Sequence, residues 1–299
     1  MTTNRVTLIA SSIVLWTGIF WGVYWLPVRA LAERGLPGAW GTAAITLGAV
    51  GLLLPVAWTN RRQIATANRI ALASIALGGA AFALYSIGFT SGRVAIIILL
   101  WFLSPVWATL IGRFLMGWPI PRLRLLAIAV GLSGLVLMLG AGGGPPFPKG
   151  IGEWMSFLGG VLWAFSTVGI RARSDIGPAS AAFVFALGAA ATSLLLAPLL
   201  TPLSAPSPGA LIPAIALALL AGGLWWGVSM AGLMWATVRL DPARVSILLM
   251  TEVLVGAVSA AVLAGELLDP LEIAGGALVL CAGVLEVWPA RRTPSRGGT

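Results

Sequence analysis

Apolar stretches of about 20 residues, separated by short connections, constrain this chain more than any other feature of its sequence. A helix of that length crosses the roughly 30 Å of hydrocarbon in a lipid bilayer. The stretches are continuous and do not alternate with period two, which excludes the strand pattern of a membrane β-barrel. The sequence therefore predicts an all-α membrane protein with ten transmembrane helices. They lie near residues 8–30, 39–58, 70–90, 94–116, 122–140, 151–170, 179–200, 211–236, 243–264 and 271–288.

The composition supports this class. Only 9% of the 299 residues are charged and 59% are hydrophobic, whereas a soluble domain carries roughly 25% charged residues. So few charges cannot cover a water-facing surface of this size, and most of the surface must face lipid. No connection is long enough to form a soluble domain.

Basic residues predict the orientation, because cytoplasmic loops carry an excess of Lys and Arg. With the N-terminus in the cytoplasm, that side receives 14 of the 18 basic residues. The opposite side receives Arg29, Arg34, Arg93 and Lys149. We therefore expect both termini in the cytoplasm and the chain in the inner membrane of a bacterial cell. The net charge of +9 is scattered between apolar runs, so we expect no nucleic-acid partner.

The chain has no histidine and one cysteine, Cys281, which lies in an apolar run. This excludes an intrachain disulfide and a thiolate metal cluster, and we expect no metal or other cofactor. A membrane-embedded enzyme usually needs a His, Cys or paired-carboxylate centre, so we expect no enzyme. No phosphate cradle of the P-loop type is present, which argues against direct drive by ATP.

The two halves of the chain resemble each other weakly. A shift of 151 residues places Arg93-Val94-Ala95-Ile96 on Arg244-Val245-Ser246-Ile247, and Pro119 on Pro270. A duplicated unit with an odd number of spans must insert upside down in its second copy. The turn after the fourth span is basic and the equivalent turn after the ninth is acidic, as inversion requires. The sequence thus predicts two inverted five-helix repeats, 1–144 and 145–299, around a central cavity, an arrangement typical of secondary transporters.

Three segments of the second half carry a family resemblance: Glu252-Val253-Leu254, Ala264-Gly265-Glu266 and the Gly-rich last helix that begins at Gly275-Gly276. With Leu103-Ser104-Pro105-Val106 and Gly131-Leu132-Ser133-Gly134 in the first half, they resemble the drug/metabolite transporter superfamily of the EamA type. The sequence departs from the family pattern at Val253, where the family has proline, and at Leu115, where a Gly-Glu pair is missing. The many tryptophans make the chain similar to the YddG-type aromatic amino-acid exporters. That similarity implies export of aromatic and other neutral amino acids by alternating access.

Glu252 is the most informative single residue, because it lies near the middle of the ninth run with apolar neighbours. An ionisable group at that depth normally faces the bundle interior or a wet cavity. It is a candidate site for a substrate amine or a proton, and the alternative is a structural acid bonded to a neighbouring helix.

Aromatic and hydroxyl side chains complete the predicted substrate site. Trp101 and Trp163, with Trp16 and Tyr85, can offer stacking faces and hydrogen-bond donors to an aromatic ligand. Ser104 and Ser246 are candidate hydrogen-bond partners. Pro105 frees a backbone carbonyl in mid-span, which predicts a hinge or, alternatively, a simple kink.

We therefore expect a monomeric secondary transporter that sits in membrane lipid and exports small metabolites. The alternatives are a different solute class (drugs, cations or nucleoside-type molecules) and a sensor or assembly subunit without transport. The sequence leaves open whether transport is proton-coupled or facilitated.

Overall fold

The structure, a computed structural model, describes residues 3–117, 122–173, 176–202, 208–237, 239–240 and 242–287. Within these ranges the chain is helical apart from short connections, and it contains no β-strand. The helices of the first half are α1 (Thr3–Gly22), α2 (Trp25–Glu33), α3 (Ala39–Thr59), α4 (Arg61–Thr66), α5 (Arg69–Gly88), α6 (Val94–Trp101), α7 (Ser104–Met116) and α8 (Arg122–Gly140). Those of the second half are α9 (Ile151–Arg173), α10 (Pro178–Leu200), α11 (Pro208–Ala221), α12 (Met230–Thr237), α13 (Pro242–Leu249), α14 (Thr251–Ala264) and α15 (Pro270–Val287), with a π-helical segment (Gly222–Ser229) between α11 and α12.

Eight helical segments of the described chain are long and apolar enough to cross a membrane. Large apolar side chains cover their outer faces; Phe114, Leu199 and Ile212 are each more than three quarters exposed, which suits contact with lipid rather than water. The prediction of an all-α membrane protein is confirmed. The runs predicted near 151–170 and 271–288 also form helices, α9 and α15, but neither is among the eight. Ten crossings therefore stay a prediction.

Proline explains two breaks in the helices. A proline ring clashes with the carbonyl of the residue four positions earlier, so it interrupts a helix there. Pro27 acts on Val23, where the turn between α1 and α2 begins, and Pro105 acts on Trp101, the last residue of α6. The turn at 102–103 follows, and α7 begins at Ser104.

A similar break separates α13 from α14 at Met250, although no proline follows it. The two broken segments also end alike. Gly117 after α7 and Gly265 after α14 both adopt left-handed backbone conformations, with φ of 68° and 66°, a conformation that glycine adopts without steric cost.

The connections gather at two ends of the helix bundle. At one end the guanidinium of Arg29, on α2, contacts the carboxylate of Glu266 and the backbone after α5. At the other end Ser180 Oγ donates a hydrogen bond to Oε1 of Gln63, on α4. The 20 residues of α5 run between these places, a length of about 30 Å for a helix. We refer to them as the Glu266 end and the Gln63 end.

The two halves of the chain interlock rather than forming separate bundles. α5 packs along α9 and α10, α3 packs along α10, and α8 packs along α15. Glycine permits close approaches in these pairs: a Cβ on Gly134 of α8 would lie 2.6 Å from the carbonyl oxygen of Gly275 on α15, and the reverse distance is the same. Small residues bring helix backbones together in membranes in this way.

The π-helical segment brings two consecutive tryptophans toward α1 and α2. Trp225 Nε1 donates to the carbonyl oxygen of Phe20 (2.7 Å), and Trp226 Nε1 donates to the hydroxyl of Tyr24 (3.0 Å). Tyr24 in turn hydrogen-bonds to Ser86 on α5. Segments of π-helix are rare and are often found at functional sites, so this one directs attention to the interior beside it.

Candidate functional site

A cavity of about 320 Å³ lies inside the bundle, where the breaks after α6 and after α13 come together. Small-molecule sites typically measure roughly 300–1,000 Å³, so the cavity can hold a compact solute. α1, α5, α9, α12 and α15 supply the rest of its wall. The lining residues that the following paragraphs use are Thr17, Trp21, Phe82, Trp101, Ser104, Pro105, Trp163, Met230 and Glu252.

Glu252 supplies a carboxyl group to this wall. It lies in the first turn of α14 and is buried, and its Oε1 accepts a hydrogen bond of 2.7 Å from the hydroxyl of Tyr85 on α5. A buried carboxyl needs such a donor, because taking it out of water without a partner is costly. Tyr85 therefore fixes one carboxyl oxygen, and the other has no partner in the described part of the chain.

Two tryptophans form an aromatic wall beside this pair. The rings of Trp101 and Trp163 are stacked, with centroids 5.9 Å apart and planes inclined by 29°. Tyr85 lies 4.8 Å from Trp101, and Phe82 meets the edge of both indoles at 4.6 and 5.2 Å. Rings packed in this way are held rigidly and offer a flat apolar surface to a ligand.

Several polar groups of the lining residues have no hydrogen-bond partner among the described residues. They are the indole N–H groups of Trp101 and Trp163 and the hydroxyl groups of Thr17 and Ser104. No lysine or arginine is among the described lining residues. The cavity thus combines one acid and several neutral donors with aromatic walls, and it can hold a solute that has a cationic or donor group at one end and an apolar ring at the other.

The structure brings together six of the eight residues predicted as substrate-binding or hinge residues. Trp101, Trp163, Ser104, Pro105 and Glu252 line the cavity, and Tyr85 reaches it through Glu252.

Trp16 lies elsewhere: it is 65% exposed and borders an apolar groove on the outer face, between α1 and the π-helical segment with the first turn of α12. The side chain of Ser246 lies outside the described residues. Trp16 was expected inside as a further indole for an aromatic ligand, but α1 turns this position toward the outer surface.

Sequence reasoning missed Phe82, which touches more of the aromatic cluster than either tryptophan does. It lies edge-on to Trp21, Trp101, Trp163 and Phe185. A signal was available, since Phe82 and Tyr85 are three residues apart on one helix and must share a face.

A second cavity of about 270 Å³ adjoins the first toward the Gln63 end. The two share Trp163, Met230, Met234 and Thr237. The second is also lined by Ile176 and Pro178, at the start of α10 beside Gln63. The empty space therefore extends from the middle of the bundle toward the Gln63 end.

Two ion pairs lie at the Glu266 end. Arg29 pairs with Glu266 at 2.7 Å, and Arg93 pairs with Glu272 through two hydrogen bonds of 2.5 and 2.9 Å. The hydrogen bonds that Arg93 donates to Glu272 raise the pKa of the Arg93 guanidinium above its usual range. We call these four residues the charged cluster.

No family model and no curated protein matches the sequence. Sixteen chains of solved structures match its fold. One, described only as a crystal structure of a protein, is 18% identical, with a TM-score of 0.60 over 94% of this chain and 96% of the other. At that identity the match concerns the fold alone. It means that the helical arrangement described above occurs, over nearly its full length, in another protein.

Proposed function

We propose that the chain is a secondary transporter that moves a small solute across the bacterial inner membrane by alternating access. One observation carries the proposal: a solute-sized cavity, lined by a buried carboxyl and stacked indoles, lies where two helices are broken in mid-membrane. In transporters, interrupted helices of this kind border the substrate site near the midplane.

Matching boundaries support two inverted five-helix repeats within ten crossings. Gly117 and Gly265 are 148 positions apart. The last residues of α6 and α13, Trp101 and Leu249, have the same separation. This register differs slightly from the shift of 151 that the sequence suggested, and it makes Ser104, rather than Trp101, the counterpart of Glu252.

The packing of the helices supports the same symmetry. α6 and α7 pack on α9, and their counterparts α13 and α14 pack on α1. α5 packs on α10, and its counterpart at this separation, residues 217–236, packs on α3 through the π-helical segment and the end of α11. In two further pairs a helix packs on its own counterpart: α3 packs on α10, and α8 packs on α15. A two-fold axis that relates the two halves of the chain produces such pairs. This fits membership of the drug/metabolite transporter superfamily, which the sequence resembles.

As substrates we propose aromatic and other neutral amino acids, exported from the cytoplasm by a monomer with both termini on the cytoplasmic side. In this arrangement the amine binds Glu252, the ring stacks against Trp101 or Trp163, and the free indole N–H groups donate to the carboxylate. Each polar group of the solute then replaces lost water with a protein partner, as burial requires.

Organic cations are the second candidate class, since no base is among the described lining residues. An organic cation without a carboxylate has no anionic group, so it needs no basic side chain in the cavity. Its charge would meet Glu252 and the faces of the indoles, which attract cations.

Purified protein in liposomes tests the proposal and separates the two classes. Efflux is measured for phenylalanine, for phenethylamine, which lacks the carboxylate, and for 3-phenylpropionate, which lacks the amine. We expect phenylalanine to be exported and 3-phenylpropionate to be retained. Faster efflux of phenethylamine than of phenylalanine would favour the cation class, and no efflux of any amine or amino acid would refute the proposal.

Glu252→Gln tests the assigned amine site. Hydrogen bonds to charged groups contribute about 1.5–3 kcal/mol, so apparent affinity for phenylalanine drops by roughly tenfold or more. Glu33→Gln is the matched control, because Glu33 is an exposed acid at the end of α2. If the two variants transport equally well, Glu252 is a structural acid and binds no substrate.

A further inference from the structure

The charged cluster joins segments from both halves of the chain. Arg29 lies on α2 and Arg93 directly precedes α6, whereas Glu266 and Glu272 follow α14. Both ion pairs therefore connect the first half to the second at the Glu266 end.

Each charge of the cluster also binds backbone, and Arg93 and Glu266 do so across this junction. Arg29 donates to the carbonyl oxygens of Phe89 and Gly92, both at 3.0 Å. Glu266 Oε2 accepts from the N–H of Val94 at 2.7 Å, and Arg93 donates to the carbonyl oxygen of Leu267 at 2.8 Å. The connections after α5 and after α14 are thereby held against each other.

Below the cluster, the interior is closed. Ile97, Ile98 and Leu100 are completely buried and lie in the chain segment between Arg93 and Trp101, and Phe89, whose carbonyl oxygen binds Arg29, is also completely buried. The cavities begin at Trp101 and Glu252 and extend toward Thr237 and Pro178 at the Gln63 end. The two interior cavities thus extend from the middle of the bundle toward the Gln63 end and not toward the Glu266 end.

We infer that the charged cluster is the gate that closes the Glu266 end, and that both ion pairs must separate before the cavity opens there. The inference rests on the proposed function. The carboxylates are only 14% and 11% exposed, but the guanidinium groups are 28% and 40% exposed. Pairs so close to water are weak, and water can take over their hydrogen bonds. A gate that must open repeatedly needs that property.

Thiol accessibility tests the gate without requiring transport. Ser104→Cys provides a reporter in the cavity wall, because Ser104 is buried and borders the interior cavity but not the outer groove. The background is Cys281→Ser, because Cys281 is exposed. A membrane-impermeant methanethiosulfonate reagent is added to right-side-out or inside-out membrane vesicles. With the cluster intact, we expect modification from the face of the Gln63 end and little from the opposite face.

Glu266→Gln combined with Glu272→Gln weakens both pairs. Because 1–2 kcal/mol corresponds to a factor of about 5–30 in a two-state equilibrium, we expect modification from the face of the Glu266 end to accelerate by roughly 5- to 30-fold. Glu33→Gln, which removes a charge at the same end but no ion pair, is expected to change nothing. Exchanging the charges, as Arg29→Glu with Glu266→Arg, is expected to return the rate toward that of the parent.

Unchanged accessibility in the doubly neutralised protein, with folding verified by size-exclusion chromatography, overturns the inference. If that protein does not fold, the charge-exchanged protein provides the test. The inference is also overturned if the charge-exchanged protein is modified at the same rate as Arg29→Glu alone. The proposed function fails separately. Accessibility can change in a protein that moves no solute in liposomes, whereas a transporter without that change has its gate elsewhere.

Discussion

The hydrogen bond between Tyr85 and Glu252 allows the sharpest test of the site. Tyr85→Phe removes one hydroxyl and leaves the ring against Trp101 and Phe89, at 4.8 and 4.7 Å between centroids. Glu252 Oε1 then loses the one donor that the described residues give it. The substitution isolates a single contact between α5 and α14.

The expected loss of stability follows from the carboxyl oxygen of Glu252, which the substitution leaves without its donor. A buried acceptor that loses its partner costs about 1–3 kcal/mol, so Tyr85→Phe is expected to lower the free energy of unfolding by that amount. In Glu252→Gln, the amide oxygen can still accept from Tyr85, and the expected loss is about 1 kcal/mol or less. In the double variant no tyrosine hydroxyl remains, so the two losses are not additive.

Reversible unfolding in mixed detergent micelles, with increasing dodecyl sulfate, measures the four proteins of this cycle. Residues in contact show interaction energies of about 0.5–3 kcal/mol. Tyr24→Phe is the matched control, because the hydroxyl of Tyr24 hydrogen-bonds to Ser86 and Trp226 and not to Glu252. Its loss is expected to add to that of Glu252→Gln within about 0.5 kcal/mol.

Two results would refute the reasoning. If Tyr85→Phe unfolds at the same free energy as the parent, the hydroxyl contributes nothing to stability. If the Tyr85 and Tyr24 cycles give equal interaction energies with Glu252, the coupling is not specific to the hydrogen bond.

Three further predictions concern the cavity wall, the helix packing and the orientation. Trp163→Ala is expected to weaken the apparent affinity for phenylalanine in liposomes by roughly three- to tenfold, because stacking is lost. Trp16→Ala, on the outer face, is expected to leave that affinity unchanged. Equal effects of the two substitutions would contradict the assignment of Trp163 to the cavity wall. Gly134→Ala forces α8 from α15 and is expected to cost about 1–3 kcal/mol in the same unfolding assay. Gly51→Ala is the control: its Cβ would meet nothing within 4 Å, and alanine favours a helix over glycine by up to about 1 kcal/mol, so no loss of stability is expected there. Equal changes in the two variants would show that the contact at Gly134 is not tight. Two exposed positions test the orientation in the Cys281→Ser background. We expect Ala65→Cys to react with an impermeant thiol reagent only from the cytoplasmic side, and Phe147→Cys only from the outside. Reaction of both cysteines from the same face would overturn the orientation.

Sequence alone determined the class of the fold, because no soluble structure can accommodate so many apolar runs of 20 residues. It also located two features of the interior. Pro105 predicted the interruption in mid-span, since its ring excludes a regular helix at that point. Glu252 was expected to face inward, since a carboxyl at that depth cannot face lipid, and its buried position in the cavity wall matches that reasoning.

Only the tertiary structure decided which aromatic residues surround that carboxyl. Membrane helices that are apolar all round carry no periodic signal to separate the lipid face from the packed face. Trp16 and Trp163 were therefore equivalent in the sequence, and packing placed one outside and the other in the cavity. The partners Tyr85 and Glu252 are 167 residues apart, and Arg29 and Glu266 are 237 apart. Contacts over such separations arise from the way the helices assemble, and no local pattern specifies them.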